Sequence, residues 1–187
     1  MTDKQFRMLQ LLDEQILSCT KCALHCNGHA KPFWCEDSRY VIVGEAPGKD
    51  EITKNTPFVG QAGKILWETM ASYALYRKDF LIINSVNCRP VFGNKNGKPN
   101  DVQMDLCKPW IRKYLYVMES SKILLLGKYA VHTMFGDIRS IVSKNGEIVS
   151  SNNSTVMVIS VHPAYCIYNE NHGRKLLNES IKKFSEI

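Results

Sequence analysis

The chain is expected to fold as an α/β protein, a three-layer α/β/α sandwich around a mostly parallel central sheet, and three observations predict this. Four short apolar runs rich in branched residues recur along the sequence. Helical patterns stand between them, so strand and helix alternate. The 187 residues, 44% of them hydrophobic, suffice for one substantial core and are few for two. A single domain spanning residues 1–187 is therefore expected.

Taken in order, Phe6, Leu9, Leu12 and Ile16 recur at near-helical spacing, which predicts an amphipathic helix over residues 2–17, ending just before Cys19. Tyr40-Val41-Ile42-Val43 is short, apolar and β-branched, and it stops at Gly44. That is the pattern of a buried parallel strand delivering a loop. Leu81-Ile82-Ile83, Ile123-Leu124-Leu125-Leu126 and Val156-Met157-Val158-Ile159 repeat it. Helices are expected over residues 62–76, 100–118, 128–135 and 172–185. The polar, turn-forming run from Gly93 to Pro99 reads as a mobile surface loop. Open parallel sheets bind ligands where the C-terminal ends of their strands give way to loops.

Lys and Arg number 24 against 18 Asp and Glu, a net charge of +6, which suits contact with a polyanion and equally suits a solubilising surface. Charges at Asp3, Lys4, Arg7, Asp13 and Glu14 exclude a signal-peptide core or membrane span at the N-terminus, and nothing later is apolar for long enough to span. No membrane association is expected. Seven cysteines without an export signal point to a reducing, cytoplasmic setting, where thiols hold metal or sit as small buried hydrophobes.

Gly44-Glu45-Ala46-Pro47-Gly48 could cradle a phosphate, because glycines let backbone N–H groups approach closely. It lacks the Lys-Ser/Thr of a P-loop and is not the dinucleotide fingerprint. Cys19 and Cys22 form a C-x2-C pair, with Cys88 and Cys107 further along. Four thiolates suit a [4Fe–4S] cluster or structural zinc, and spacing leaves both open. Cys26, Cys35 and Cys166 have no assigned partner.

The strings GEAPG (44–48), PFVGQAG (57–63), NCRP (87–90) and HPAY (162–165), in that order, resemble the family 4 uracil-DNA glycosylases, the iron–sulfur branch of the uracil-DNA glycosylase superfamily. The resemblance covers roughly residues 15–184 and implies a DNA repair enzyme that hydrolyses the N-glycosidic bond of deoxyuridine, leaving an abasic site. Its substrate would be uracil-containing DNA, single- or double-stranded, and a monomer is expected. Breaking that bond leaves positive charge on the sugar and negative charge on the base, so a carboxylate and a hydrogen-bond donor each lower the barrier.

By the resemblance, Glu45 orients the attacking water and stabilises the cationic sugar, while His162 donates to the uracil oxygen that gains charge. Gly44, Ala46 and Gly48 lie beside the deoxyribose, Phe58 stacks on the flipped base, and Asn84 reads its O4 and N3–H edge. Each has a plainer alternative: a solvated Glu, a His that satisfies a turn, a core aromatic, a capping amide. Ala46 stands where the best-known branch has Asp, and Gly48 offers no side chain where that branch has a ring that blocks thymine.

Cys88-Arg89-Pro90 and Cys107-Lys108-Pro109 look like the family's paired Cys-Arg-Pro segments, with Lys108 replacing the second Arg. The resemblance thus assigns Cys19, Cys22, Cys88 and Cys107 to a structural [4Fe–4S] cluster. Arg89, Lys95 and Lys98 lie on or beside the 88–107 segment and either meet phosphates or are simply solvated. After His162-Pro163-Ala164-Tyr165 the chain runs Cys166-Ile167-Tyr168-Asn169 where relatives often have Leu-Leu-Arg, so Tyr165 or Ile167 is the expected minor-groove wedge. The competing reading is a glycosylase-like module that grips DNA or a replication partner without cutting. A branch that forms a covalent histidine adduct is disfavoured, because no Arg-rich insertion lies between Gly48 and Gly63.

Overall fold

The computed structural model describes residues 1–150 and 155–187. The first half of the chain runs α1 (Asp3–Leu17), β1 (Tyr40–Gly44), α2 (Lys49–Thr53), α3 (Gln61–Ala71), β2 (Phe80–Asn84), β3 (Val91–Phe92) and β4 (Lys95–Asn96). The second half runs α4 (Asp101–Met118), β5 (Lys122–Leu126), α5 (Lys128–Phe135), β6 (Ile148–Ser150), β7 (Val156–Ser160), α6 (Tyr165–Tyr168) and α7 (Glu170–Glu186). Thr2 and Gln5 close a capping box on α1, and Asn100 and Gln103 do the same on α4.

Five strands form the central sheet in the order β2-β1-β5-β7-β6, all parallel except β6, which runs antiparallel to β7. Side chains alternate across a pleated strand, so each strand feeds two cores. Val41, Val43, Leu81, Ile83, Ile123 and Leu125 pack with Leu9, Ile16, Ile111, Tyr114 and Val131 from α1, α4 and α5. On the other side Ile42, Phe80, Ile82, Leu124 and Val158 pack with Leu66, Met70, Leu177, Ile181 and Phe184 from α3 and α7. The three-layer expectation holds.

The chain leaves β1 for β2 through α3 on one face, then crosses to β5 through α4 on the opposite face. Strand order therefore reverses beside β1, and a crevice opens at the strands' C-terminal ends. Residues 29–33 lie along the outer edge of β2, with Phe33 and Ile82 exchanging backbone hydrogen bonds of 3.0 and 2.8 Å, and a further bridge joins His29 to Cys88. This covers an edge that would otherwise be exposed. It also draws Cys19 and Cys22 toward Cys88.

Five local features differ from expectation. The helix expected over 62–76 stops at Ala71, because Ala74 takes a left-handed conformation (φ 54°) that turns the chain toward β2. The loop expected over 93–99 contains half of a hairpin, β3 paired with β4 about Gly93 at φ 58°. α2, β6 and α6 were not foreseen, being too short for periodicity to register. Among the described residues no helix is long and apolar enough to cross a membrane.

Candidate active site

Three strand ends converge on one cavity of about 490 Å³. β1 delivers Glu45 directly after Gly44, β2 ends on Asn84, and His162 follows β7 by two residues. Gly44 explains how closely they meet. A Cβ there would collide with Asn84 Oδ1 and stand 2.9 Å from Phe58 Cζ, so the amide and the ring come together over a bare backbone. Gly127, at φ 89°, does the same for His162, since a Cβ would lie 2.8 Å from the histidine's own. Phe58 and His162 flank one another with ring centroids 5.8 Å apart.

Phe58 adopts a φ of 52°, unusual for a residue with a side chain and costing of order 1–3 kcal/mol. Three residues that sequence reasoning missed hold it there. The Glu51 carboxylate accepts the backbone N–H of Gly48 at 2.6 Å and that of Phe58. Arg77 donates to Thr56 Oγ1 at 2.9 Å and to the Pro57 carbonyl at 2.7 Å, with its guanidinium 4.2 Å from the Phe33 ring centre. The Trp67 indole donates to the Phe58 carbonyl at 3.1 Å. Burial pushes the Glu51 carboxyl up, and the N–H groups of Gly48, Phe58 and Val59 with the Arg77 charge pull it back. The Gly-x-x-Glu spacing from Gly48 to Glu51 resembles a capping pattern and was a legible clue. Arg77 had none.

Glu45 differs from Glu51 in having no such set of donors. Burial pushes its carboxyl up to about 7, and only the Lys98 charge works in the opposite direction. At neutral pH it is thus divided between its two forms. Desolvation lowers His162 to about 4, so its imidazole is neutral. Its Nδ1 accepts the Ala164 backbone N–H at 3.2 Å, which assigns the ring proton to Nε2 and leaves a donor for the cavity.

The rim comes from two exposed segments. On one side Asn96, Gly97 and Lys98 line the cavity, and Arg89 Nε donates to Asn96 Oδ1 at 2.7 Å. A Cβ on Gly48 would come within 3.1 Å of Asn96 Nδ2, so Asn96 fills the space beside the glycine. Ala46 lines the wall next to Glu45, and Lys95 is exposed on the hairpin. On the other side stand Ile167 and Tyr168. Tyr165 is half-buried, packed on the α3/α7 core with its ring 6.3 Å from that of His172. Of the two alternatives for the groove, Tyr165 packs inward and Ile167 stands at the rim. Tyr168, which the sequence did not single out, is the more exposed.

The four thiols lie on the α1/α4/α5 side of the sheet. Cys88 and Cys107 are buried in the α1/α4/α5 core, and Cys19 and Cys22 pack against it. Burial, reinforced by the charges of the neighbouring thiols, pushes Cys88 up to about 12 and Cys107 up to about 11. Among the described residues no three His, Cys, Asp or Glu side chains are grouped so as to hold a metal ion. Two observations nonetheless suit a larger four-thiolate group: the mutual influence of the thiols, and two buried N–H donors, Asn87 Nδ2 and Trp110 Nε1, that lack a partner among the described residues. Cys26 is exposed, Cys35 half-buried and Cys166 buried.

Residues 32–185 match the family model described as the uracil DNA glycosylase superfamily. The chain is 33% identical over 182 residues to a type-4 uracil-DNA glycosylase of Archaeoglobus fulgidus, a match covering 92% of this chain and 89% of that protein. It is 30% identical to the enzyme of the same name from Sulfurisphaera tokodaii (96% of this chain, 84% of that one). For the Thermotoga maritima enzyme of that name the identity is 29%, over 94% of this chain and 92% of the other.

Proposed function

Because the chain belongs to the uracil-DNA glycosylase superfamily, we propose that it excises uracil from DNA by hydrolysing the N-glycosidic bond, with the cavity at the sheet's C-terminal edge as its active site. One observation carries this: the Asn84 amide, the Phe58 ring, the neutral His162 and the desolvated Glu45 line a single cavity over Gly44. The flipped base stacks on Phe58, while Asn84 accepts from uracil N3–H and donates to O4. As the bond between the base nitrogen and C1′ breaks, its electron pair leaves with uracil. The Nε2–H of His162 donates to the oxygen that gains this charge. A neutral donor suits the task, because it needs no proton from solvent at working pH.

In its ionised form Glu45 stabilises the cationic sugar and orients the water that attacks C1′. Ala46 and Gly48 leave room for the deoxyribose. Asn96, held by Arg89, narrows the cavity beside Gly48 and is the group best placed to exclude the thymine methyl. Arg89, Lys95 and Lys98 meet phosphates, and Ile167 with Tyr168 enters the space left by the flipped base. Cys19, Cys22, Cys88 and Cys107 hold a [4Fe–4S] cluster, which ties the N-terminal segment and α4 to the sheet and supplies stability rather than a step of the reaction. The test uses an oligonucleotide with one uracil. Free uracil and an alkali-labile site are expected from the wild type, with both sharply reduced in His162→Ala. Binding without release of base would favour the non-cutting alternative.

A further inference from the structure

Among the described residues, two buried side-chain nitrogens have no hydrogen-bond partner, Asn87 Nδ2 and Trp110 Nε1. A buried donor without an acceptor forfeits its hydration and gains nothing in return, so native proteins seldom leave one. The other indoles of this structure conform: that of Trp34 donates to Asp13 and that of Trp67 to the Phe58 carbonyl. Both exceptions flank the same four thiols. Asn87 directly precedes Cys88, and its backbone N–H lies close enough to the Cys107 thiol to work against the upward push of burial there. Its carbonyl accepts from Ala30 at 2.9 Å, which fixes its main chain. Trp110 lies one helical turn beyond Cys107 on α4, hence on the same face. The ammonium of Lys21, inside the Cys19–Cys22 loop, stands 5.2 Å from the Trp110 ring centre, so the indole adjoins that loop as well.

We propose that the Asn87 amide and the Trp110 indole N–H donate hydrogen bonds to the sulfurs of the cluster held by Cys19, Cys22, Cys88 and Cys107, and thereby set its reduction potential. The proposal rests on the cluster reading above. Hydrogen bonds to cluster or cysteine sulfur stabilise the more negative, reduced state, and such outer contacts tune metal sites generally. Lys113, with its ammonium 4.6 Å from the Trp110 ring centre on the same helix, and Lys21 add positive charge to this side. They act in the same direction. Replacing either donor with an apolar side chain of similar size should therefore make the cluster harder to reduce.

The experiment takes anaerobically purified holoprotein and first measures iron, sulfide and zinc. Potentials of wild type, Asn87→Leu and Trp110→Phe are then compared by redox titration followed by electron paramagnetic resonance. Both variants are expected at more negative potential than wild type. A second readout needs no substitution at either donor: in wild type labelled with ¹⁵N in the indole rings, the resonance left after assigning Trp34 and Trp67 through their Phe variants should be strongly shifted or broadened by the paramagnetic cluster. Four irons with unchanged potentials in both variants, or a sharp and unshifted Trp110 resonance, would overturn the proposal and leave the cluster standing. Stoichiometric zinc in place of iron and sulfide would overturn the cluster reading itself.

Discussion

In the floor of the cavity, Gly44, Glu45, Asn84 and His162 all lie within two residues of the C-terminal end of a parallel strand, where paired neighbours fix the backbone. The rim, by contrast, comes from a hairpin of two-residue strands and a four-residue helix. Its aromatic residues Phe92 and Tyr168 are 81% and 82% exposed, available to a partner and held by little else. The contrast separates two tasks. Groups that act on one base must be placed to within a fraction of an ångström, and the sheet supplies that precision. Groups that follow a flexible polyanion gain from exposure and from charge.

If the division is real, substitutions in the floor should change chemistry and those in the rim should change affinity. The largest effect is expected for Asn84→Asp, which sets an acceptor against uracil O4. Excision of uracil should fall by roughly 10⁴, the scale on which a mismatched polar site discriminates. Weak removal of cytosine, favoured at low pH, would sharpen the assignment, whereas uracil release at the wild-type rate would break it.

Next comes Glu45, whose carboxyl sits near 7 through burial. Single-turnover rates should rise about tenfold per pH unit below that value and level off above it. His162, neutral above about 4, should add no falling limb between them. Glu45→Gln should be slow and free of this limb. The same shift has a stability consequence. The folded protein keeps a proton that the unfolded chain has released at 4.5, so stability falls as pH climbs from there to about 7. Glu45→Gln should accordingly be more stable than wild type at pH 8, by about 2 kcal/mol after allowing for partial solvent access, with little difference at pH 4. Thermal melts at the two pH values measure this.

The smallest effect belongs to the rim. Lys95→Gln with Lys98→Gln should reduce the slope of log affinity against log salt by about one to two, because each phosphate that a lysine no longer neutralises keeps its counterion. Because Lys98 also lowers Glu45, the pH limb should move upward in the same variant. An unchanged slope would return these lysines to solvent.

The sheet was legible because each parallel strand is a contiguous apolar run, and the helices on its faces because their periodicity extends over several turns. Pattern alone put the floor residues only in loops at strand ends; their roles came from the resemblance carried by the strings around Glu45, Phe58 and His162. Phe58 was legible as a position but not in its support. The Glu51 carboxylate and the Arg77 guanidinium that hold its loop are 26 residues apart, and no local pattern couples them. The sequence left Tyr165 and Ile167 as alternatives at the groove, and α6 is a tight turn that seats Tyr165 on the core and brings Ile167 and Tyr168 outward. Such a rotation depends on four residues of backbone geometry, too few for periodicity to report.

The most direct test of floor against rim sets His162→Ala beside a rim variant, Lys95→Gln with Tyr168→Ala, and measures single-turnover uracil release at saturating protein together with the Kd for DNA. For His162→Ala the expected rate is about a hundredfold or more below wild type, with Kd nearly unchanged. The rim variant should bind more weakly while its rate at saturation stays within a few-fold. A His162→Ala protein that cleaves at the wild-type rate, or a rim variant that binds normally and cleaves a hundredfold more slowly, would contradict the account.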